Sequence, residues 1–323
     1  MPSRSPPMPR NRRKKRQDPP GPAGFLVVDK PVGWTSHDVV DAARRWLGVR
    51  RIGHLGTLDP LATGVLPLAV RQATKLVPFL AEGLKVYVGT IHLGVATDTF
   101  DAEGEVVRRH DGPLPDEAAV REALEAFVGD IEQIPPMYSS VKKDGVPLYR
   151  LARKGEEVER EPRPVTIHEI SMPHYAPPEI GIEVVSGPGT YVRTLAADLG
   201  DRLGCGAHLS SLRRTRSGAF TLDQARTPEA FERLADAGEL EAALQPADEP
   251  LGLPRVRLTP IQAQKMRHGT SIPAADARGD FEKGDPPRPG DRLAAMLPSG
   301  ELLAILEFRP DRRFHPIRLL EPS

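Results

Sequence analysis

Two kinds of apolar periodicity run through this chain of 323 residues, and they follow one another in no regular order. Alternation of apolar and polar residues predicts strands, and apolar residues three or four apart predict helices. Because the order lacks the βαβ repeat of a doubly wound sheet, we predict an α+β fold with a mixed, largely antiparallel sheet and flanking helices. The predicted strands cover 25–28, 84–94, 104–109 and 180–187, and the predicted helices cover 37–48, 116–128, 190–204 and 227–246.

The first of these helices has a clear start and end. Ser36 is the expected N-cap, and Gly48 is the expected stop. Its apolar stripe should be buried against the sheet, and it comprises Val39, Val40, Ala43, Trp46 and Leu47.

Composition excludes several classes of protein. The chain has no apolar run long enough to cross a membrane, and its charged N-terminus lacks the apolar segment of a secretory signal. A single cysteine, Cys205, excludes a disulfide framework and a cysteine-rich metal site. We therefore expect a cytoplasmic protein.

The formal net charge is zero, but the charges are unevenly distributed. Residues 1–20 contain seven lysines or arginines and one acid, and residues 202–217 contain four arginines and no acid. Residues 223–250, in contrast, contain eight acids and two arginines. Basic patches beside an acidic flank suit a polyanion bound on one face. The alternative for each patch is a solvated tail or a solvated surface.

The segment GHLGTLDPLATGVLPLAV, residues 53–70, holds three glycines, two prolines and a single carboxylate, Asp59. Glycine permits positive φ, and Pro60 disfavours a helical conformation for Asp59. One interpretation is a rigid loop that aims one carboxylate. The other is a structural turn in which Asp59 caps a helix across PLATGVL, since aspartate before proline is a common helix start. The local pattern alone favours the helix cap.

Other catalytic patterns fit less well. A phosphate-binding loop would place lysine and a hydroxyl residue after Gly64, where Val65 and Leu66 stand. Residues 36–41 include a serine, a histidine and two aspartates, but adjacent residues do not align as a catalytic triad. This set is more typical of a polar helix face than of a metal site.

Taken together, the motifs resemble those of the bacterial tRNA pseudouridine-55 synthases of the TruB type. GHLGTLDPLATGVL is similar to the signature segment of that family. The other matching segments follow the family order: VDKPVGWTSHDVV (28–40), KVYVGTIHLGVATDTFDAEG (85–104), the RNA-clasping insertion QIPPMYSSVKKDGVPLYRLARKGEEV (133–158), SGPGTYVRTLAADLG (186–200) and CGAHLSSLRRTRSG (205–218). The resemblance is tight over about 25–220 and loose beyond. It departs at QATK, residues 72–75, and in the longer basic tail.

The resemblance implies a reaction and its catalytic residues. Asp59 matches the nucleophile that acts when the family isomerises uridine 55, in the T-arm of tRNA, to pseudouridine without metal or cofactor. Tyr87 matches a stacking tyrosine that also assists proton transfer, although its local pattern alone indicates a core aromatic. Arg193 matches an arginine beside the nucleophile. Because the loop has no second acid and Arg193 would pair with Asp59, we expect Asp59 to be ionised.

The resemblance also implies RNA-binding residues, because a uridine inside a folded loop must be flipped out to react. His54 matches the residue that replaces the flipped base in the stack, and Leu212 matches a leucine of the uracil pocket. Lys30 and Asp101 match polar positions near the site. The insertion supplies cations that could contact phosphate, namely Lys142, Lys143, Arg150, Arg153 and Lys154.

The expected domains follow from the resemblance and from Pro250 and Pro254. They are a disordered basic tail over 1–23, a pseudouridine synthase domain over 24–249 with the insertion at about 133–160, and a β-rich, PUA-like RNA-binding domain over 250–323. AAMLPSGELLAIL, residues 294–306, predicts a hairpin in the last domain.

We expect a monomer that binds the T-arm of tRNA, with no obligate protein partner and no membrane. One rival is a catalytically silent RNA-binding or RNA-chaperone protein on the same scaffold, which would be expected to lack Asp59. The other is a synthase of the archaeal-eukaryotic type that works in a guide-RNA complex, against which the insertion argues.

Overall fold

The computed structural model describes residues 18–152, 154–156, 158–280 and 286–320. Within these ranges the chain forms an α+β fold with a ten-stranded sheet, its helices, and a second sheet of six strands near the C-terminus. The seven basic residues of the predicted tail fall in 1–17, so they lie outside the described residues, as does Arg153 of the insertion.

The ten-stranded sheet is largely antiparallel, as predicted. The strands before residue 250 are β1 (Gly24–Lys30), β2 (Ile52–His54), β3 (Ala62–Val70), β4 (Lys85–Leu93), β5 (Val95–Thr97), β6 (Val106–Arg109), β7 (Gly129–Gln133), β8 (Lys142–Lys143), β9 (Val146–Pro147), β10 (Arg163–Ala176), β11 (Glu179–Ser186), β12 (Ala207–Ser217), β13 (Phe220–Thr221) and β14 (Gln245–Pro246). The sheet order is β14-β1-β3-β12-β4-β11-β10-β7, with β2 beside β3 and β13 beside β12. Among these pairs only β3 and β12 run parallel. Two short ribbons, β5–β6 and β8–β9, stand apart.

Four of the helices in the described ranges lie at or within the predicted positions, and the other three were not predicted. They are α1 (Ser36–Leu47), α2 (Val77–Leu80), α3 (Glu117–Glu125), α4 (Leu148–Ala152), α5 (Val192–Arg202), α6 (Pro228–Asp236) and α7 (Pro260–Arg267). The prediction of one continuous helix over 227–246 is wrong after Asp236. The chain there leaves α6, makes a short 3-10 helix at Leu240–Ala243 and enters β14, which pairs with β1. Among the described residues, every helix is too short or too polar to span a bilayer.

The N-cap of helix α1 is one residue earlier than predicted. Thr35 is the N-cap: its hydroxyl accepts from the amide of Asp38 at 3.1 Å, and the Asp38 carboxylate accepts from the amide of Thr35 at 2.8 Å. This reciprocal capping box displaces Ser36 to the first helical position. The hydroxyl of Ser36 is thereby free to bond elsewhere.

The large sheet buries the face on which α1, α3 and α5 pack. Leu195 and Leu199 of α5 are fully buried with Ile91 of β4 and Ile182 of β11. Val88, which lies on the opposite face of β4 from Ile91, is 43% exposed. Along β4, one face of the sheet therefore forms the core with the helices, and the other is open to solvent.

The C-terminal sheet has the order β16-β20-β19-β18-β15-β17. Its strands are β15 (Arg255–Arg257), β16 (Ile272–Pro273), β17 (Arg278–Gly279), β18 (Arg292–Met296), β19 (Leu302–Phe308) and β20 (Arg313–Leu319). The predicted hairpin is confirmed as β18 and β19, which pair antiparallel. Ile305 and Leu320 share an apolar cluster with Phe25 and Val65 of the first part, so the two sheets are joined by buried side chains. The boundary at residue 250 stays a prediction.

Candidate active site

Asp59 lies in the loop that joins β2 to β3, residues 55–61, which we call the Asp59 loop. The two strands that the loop connects are neighbours in the sheet and pair antiparallel, with His54 opposite Leu68. The amide of Ala62 donates to the carbonyl of Asp59 at 3.1 Å, and β3 starts at once. The helix cap favoured by the local pattern is therefore wrong. Pairing of β3 with β1 and β12 overrides the local preference for a helix start.

Two buried side chains hold the middle of the Asp59 loop. The Ser36 hydroxyl donates to the carbonyl of Leu58 at 3.0 Å and accepts from the amide of Leu58 at 2.8 Å. Lys30 is fully buried, and its ammonium donates to the carbonyls of Trp34 at 2.5 Å and Pro60 at 3.3 Å. The residues on either side of Asp59 are therefore fixed by side chains from β1 and α1.

Replacing Ser36 by alanine is expected to destabilise the protein and to slow its chemistry. The amide and carbonyl of Leu58 would both lose their buried partner, which costs about 1–3 kcal/mol. A loop displaced by a fraction of an ångström should lower the single-turnover rate roughly 10- to 100-fold. Urea unfolding and single-turnover kinetics measure the two effects. Ser299→Ala, in an exposed hairpin turn, is the matched control, and equal behaviour of the two variants would contradict the prediction.

Asp59 forms an ion pair with Arg193, which comes from the first turn of α5. Arg193 Nη2 lies 3.1 Å from Asp59 Oδ1, and Arg193 Nη1 lies 3.7 Å from Asp101 Oδ2. The side chains of Arg193 and Asp101 are 4% and 5% exposed, whereas that of Asp59 is 34% exposed. The arrangement is a buried arginine between two carboxylates, one of which reaches the surface.

The insertion contributes to this ion pair through its backbone. Arg193 Nη2 also donates to the carbonyl of Tyr138 at 2.6 Å. At the start of the insertion, the buried amide of Gln133 accepts from the backbone N–H of Tyr191 at 3.0 Å and donates to its carbonyl at 3.3 Å. Because Tyr191 is the N-cap of α5, Gln133 fixes the turn from which Arg193 extends.

Opposing effects act on the protonation of Asp59. The pKa of Asp59 is raised above its ordinary value: burial raises it most, Arg193 and Lys30 oppose the rise, and Asp101 adds to it. Asp59 is therefore the only acid in its loop, but Asp101 lies near it in the folded structure. Burial also lowers the pKa of Lys30 to about 8, although Asp59 acts in the other direction.

Three predicted RNA-binding or stacking residues lie on β2, β12 and β4 of the sheet that carries the Asp59 loop. His54 ends β2, and burial followed by the charge of Arg214 lowers its pKa, which keeps it neutral at pH 7. Leu212 pairs with Ala62 at the end of the loop and with Gly89 on β4. Tyr87, two residues along β4 from Gly89, is 9% exposed, as is Leu212.

A cavity of about 370 Å³ beside Leu212 opens on the solvent face of the sheet. It is lined by Val88, Thr90 and Arg213, among others, and by neither Asp59 nor Tyr87. Leu61 of the Asp59 loop and Leu212 also line it, so the cavity reaches the loop without including the carboxylate.

The cations of the insertion lie apart from the Asp59 pair. Lys142 and Lys143 form β8, and Arg150 is on α4; all three are exposed. Lys143 donates to the carbonyl of Glu159 at 2.8 Å, within the insertion. The structure thus brings Asp59, Arg193, Asp101 and Lys30 together and leaves these cations on the surface.

Arg214 was wrongly predicted to lie on a basic surface. It was counted with Arg202, Arg213 and Arg216 as part of a basic surface, but its exposure is 1%. Its guanidinium donates to backbone carbonyls of the Asp59 loop and of β3. A run of arginines carries no signal that one of them is buried, because burial depends on β12 pairing with β3 and β4.

A metal site is not evident in the described ranges, where no three His, Cys, Asp or Glu side chains converge in a way that suits an ion. Cys205 is a buried free thiol. Catalysis without a metal or cofactor stays a prediction.

Two family models match adjacent parts of the chain. Residues 44–192 match the N-terminal domain of the TruB family pseudouridylate synthases. Residues 193–252 match the C-terminal domain of tRNA pseudouridylate synthase B.

Curated relatives and solved structures agree with these matches. The chain is 45% identical over 285 residues to tRNA pseudouridine synthase B of Geobacter sulfurreducens, covering 88% of this chain and 93% of the relative. It is 46% identical over 284 residues to the protein of that name from Burkholderia pseudomallei, covering 86% and 93%. A crystal structure of a Cbf5-Nop10-Gar1 complex matches with a TM-score of 0.68 and 27% identity, covering 93% of this chain and 85% of that chain. The archaeal box H/ACA Nop10-Cbf5 complex matches with a TM-score of 0.67 and 25% identity, covering 93% and 86%. The chain belongs to the TruB family of pseudouridylate synthases.

Proposed function

We propose that this chain converts uridine 55, in the T-arm of tRNA, to pseudouridine, with Asp59 as the nucleophile. The observation that carries the proposal is a partly exposed carboxylate paired with the buried guanidinium of Arg193. The curated relatives are named for tRNA, and the alignment spans most of both chains, which supports tRNA as the substrate class. A catalytically silent RNA-binding protein would be expected to lack Asp59, which this chain has.

The chemistry proposed for Asp59 is covalent catalysis of an isomerisation. The ionised carboxylate attacks the ribose or the pyrimidine ring, and the bond between N1 of the base and C1′ breaks. The base rotates, C5 bonds to C1′, and the bond between Asp59 and the carbon that it attacked breaks, which returns the free carboxylate. The proton on C5 leaves, and N1 ends with a proton. Atoms balance without an oxidant or a co-substrate. Arg193 would keep Asp59 ionised in a site from which the bound base excludes water.

Flipping of the target uridine would bring it to the Asp59 loop. Tyr87 would stack on the base and Leu212 would line its pocket, since aromatic and apolar side chains receive unstacked bases. His54, neutral and with a buried Nδ1 that lacks a hydrogen-bond partner among the described residues, would take part of the vacated place in the RNA stack.

Electrostatic contacts would hold the rest of the tRNA. Lys142, Lys143 and Arg150 on the exposed insertion are suited to phosphate contacts. The insertion also reaches Arg193 through the carbonyl of Tyr138, so RNA bound there would lie beside the site. We propose that the chain acts as a cytoplasmic monomer without an obligate protein partner and that its C-terminal sheet binds RNA.

Removing residues 1–17 is expected to weaken tRNA binding and to leave the chemical step unchanged at saturating tRNA. These residues contain seven lysines or arginines. Asp18, just after them, accepts from the amides of Arg50 and Arg51 at 2.8 Å, so the deletion should stop before this contact. Each lost phosphate contact should flatten the slope of log Kd against log salt by roughly 0.7–0.9.

Filter binding across salt concentrations, beside single-turnover rates, measures both quantities. A full-length variant with glutamine at the seven basic positions is the control for chain length and should match the deletion. An unchanged salt slope in both variants would contradict a role for this charge in RNA binding.

Mapping of the product tests the proposed function. The purified chain is incubated with an unmodified tRNA transcript, with the same transcript carrying cytidine at position 55, and with an isolated T-arm stem-loop. Chemical sequencing should find one pseudouridine, at position 55, in the first and third RNAs only. A pseudouridine elsewhere would overturn the target, and none in any RNA would overturn the activity.

A further inference from the structure

Arg214 is a buried cation held by backbone carbonyls alone. Its side chain is 1% exposed, and none of the ion pairs among the described residues involves it. Nε donates to the carbonyl of Val65 at 2.8 Å, Nη2 to that of Gly56 at 3.1 Å, and Nη1 to that of Thr57 at 3.4 Å. Burying an arginine without a carboxylate is costly, and a hydrocarbon side chain could fill the same space. The donors themselves must therefore matter.

These three carbonyls lie on both sides of Asp59. Gly56 and Thr57 precede it in the loop, and Val65 follows it on β3. Gly64, with φ of +99°, lies so close to β12 that an added Cβ would be 2.2 Å from the carbonyl oxygen of Arg214. This close approach places the backbone of Arg214 directly against β3, the strand that follows the loop. The planar guanidinium can then bridge the start of the loop to its end.

The remaining contacts of the loop complete the pattern. Ser36 bonds Leu58, Lys30 bonds the carbonyl of Pro60, and Ala62 bonds that of Asp59. Gly56 and Thr57 are the part of the loop that these groups do not hold. We propose that Arg214 is a positioning residue for the reaction, which ties the Gly56 and Thr57 carbonyls to β3 and thereby fixes where the Asp59 carboxylate points.

This inference rests on the proposed function for its kinetic effect. Lysine at this position keeps the charge, but its single nitrogen cannot occupy the three positions from which Nε, Nη1 and Nη2 of Arg214 reach the carbonyls of Val65, Thr57 and Gly56. A displacement near 1 Å at a reacting group lowers rates roughly 100-fold. Arg214→Lys should therefore fold and bind tRNA within about threefold of wild type, and its single-turnover rate should fall by roughly 100-fold.

Arg71→Lys is the matched control. Arg71 is 5% exposed and also donates to backbone carbonyls, those of Pro19 and Pro22, away from the Asp59 loop. It pairs in addition with Glu241. Its replacement should lower the unfolding temperature to a degree similar to that of Arg214→Lys and leave the single-turnover rate within about threefold, because only Arg214 acts on the loop.

Hydrogen exchange gives a readout that does not depend on activity. The amides of Leu55 and Leu58 are bonded to the carbonyl of Pro67 and to the hydroxyl of Ser36. Their exchange should accelerate in Arg214→Lys and not in Arg71→Lys. If the wild-type protein failed to modify tRNA and this difference between the two variants were still found, the role of Arg214 in the loop would be right and the proposed function would be wrong.

Three outcomes would overturn the inference. One is a wild-type single-turnover rate in Arg214→Lys, and another is an equal loss of rate in Arg71→Lys. The third is unfolding of Arg214→Lys under assay conditions, because a positioning role predicts a folded protein with a displaced loop, whereas a purely structural role predicts collapse.

Discussion

Asp59→Asn is expected to leave no detectable pseudouridine formation, with folding and tRNA affinity close to wild type. Asparagine keeps the shape of the side chain and removes both the charge and the nucleophilic oxygen. Arg193 would still lie 3.7 Å from Asp101, so the buried guanidinium keeps one carboxylate and the fold should persist. Single-turnover assays, thermal unfolding and filter binding measure the three properties.

Asp41→Asn controls for the loss of one negative charge. Asp41 is on α1, half exposed, in a surface ion pair with Arg44, and its replacement should change none of the three properties. If Asp59→Asn retained even a tenth of the wild-type rate, a barrier difference of only about 1.4 kcal/mol, Asp59 would not be the nucleophile.

Arg193→Ala is expected to lower the single-turnover rate by at least roughly 100-fold and to move the acid limb of its pH profile upward. Activity requires the carboxylate of Asp59, so it rises as pH passes through the pKa of that group. Burial raises this pKa and Arg193 lowers it. Loss of the arginine leaves burial and Asp101 unopposed by their main counterion. The pKa then rises further, and a higher pH is needed for ionisation.

Arg193→Lys separates charge from geometry at the same position. The ammonium keeps Asp59 ionised, so the acid limb should stay near that of wild type. It cannot reproduce the contacts that the guanidinium makes with Asp59, Asp101 and the carbonyl of Tyr138, so the rate should still be low. Single-turnover rates between about pH 5 and pH 9 on saturating tRNA test both variants. A wild-type rate and profile for Arg193→Ala would remove this arginine from the mechanism.

Local sequence predicted the elements whose apolar pattern is unambiguous. The strand β4, the helices α3 and α5, and the hairpin of β18 and β19 all appear where periodicity and turn residues placed them. The same reasoning misjudged the residues after Asp59, since Asp-Pro is a good helix start in isolation. Pairing of β3 with strands on both sides decides that segment, and such pairing leaves no local signal.

The candidate site depended on resemblance, because its contacts join distant parts of the chain. Arg193 is 134 residues from Asp59, and Arg214 is 158 residues from Gly56. Spacing within the loop could identify one carboxylate held by a rigid loop, but not the side chains that fix its position. The roles of Ser36 and Arg214 emerged only when α1 and β12 were placed beside the loop. Asp101 likewise reaches Arg193 only through the fold.

Release of the C5 hydrogen from the target uridine tests the central claim most directly. Pseudouridine formation replaces the bond from C5 to hydrogen with one from C5 to C1′, so a tRNA transcript with tritium at C5 of its uridines should lose label to water in step with isomerisation. The wild-type chain is predicted to release the label of one uridine per tRNA, and Asp59→Asn is predicted to release none. No release by the wild-type chain, or equal release by the two proteins, would contradict the account.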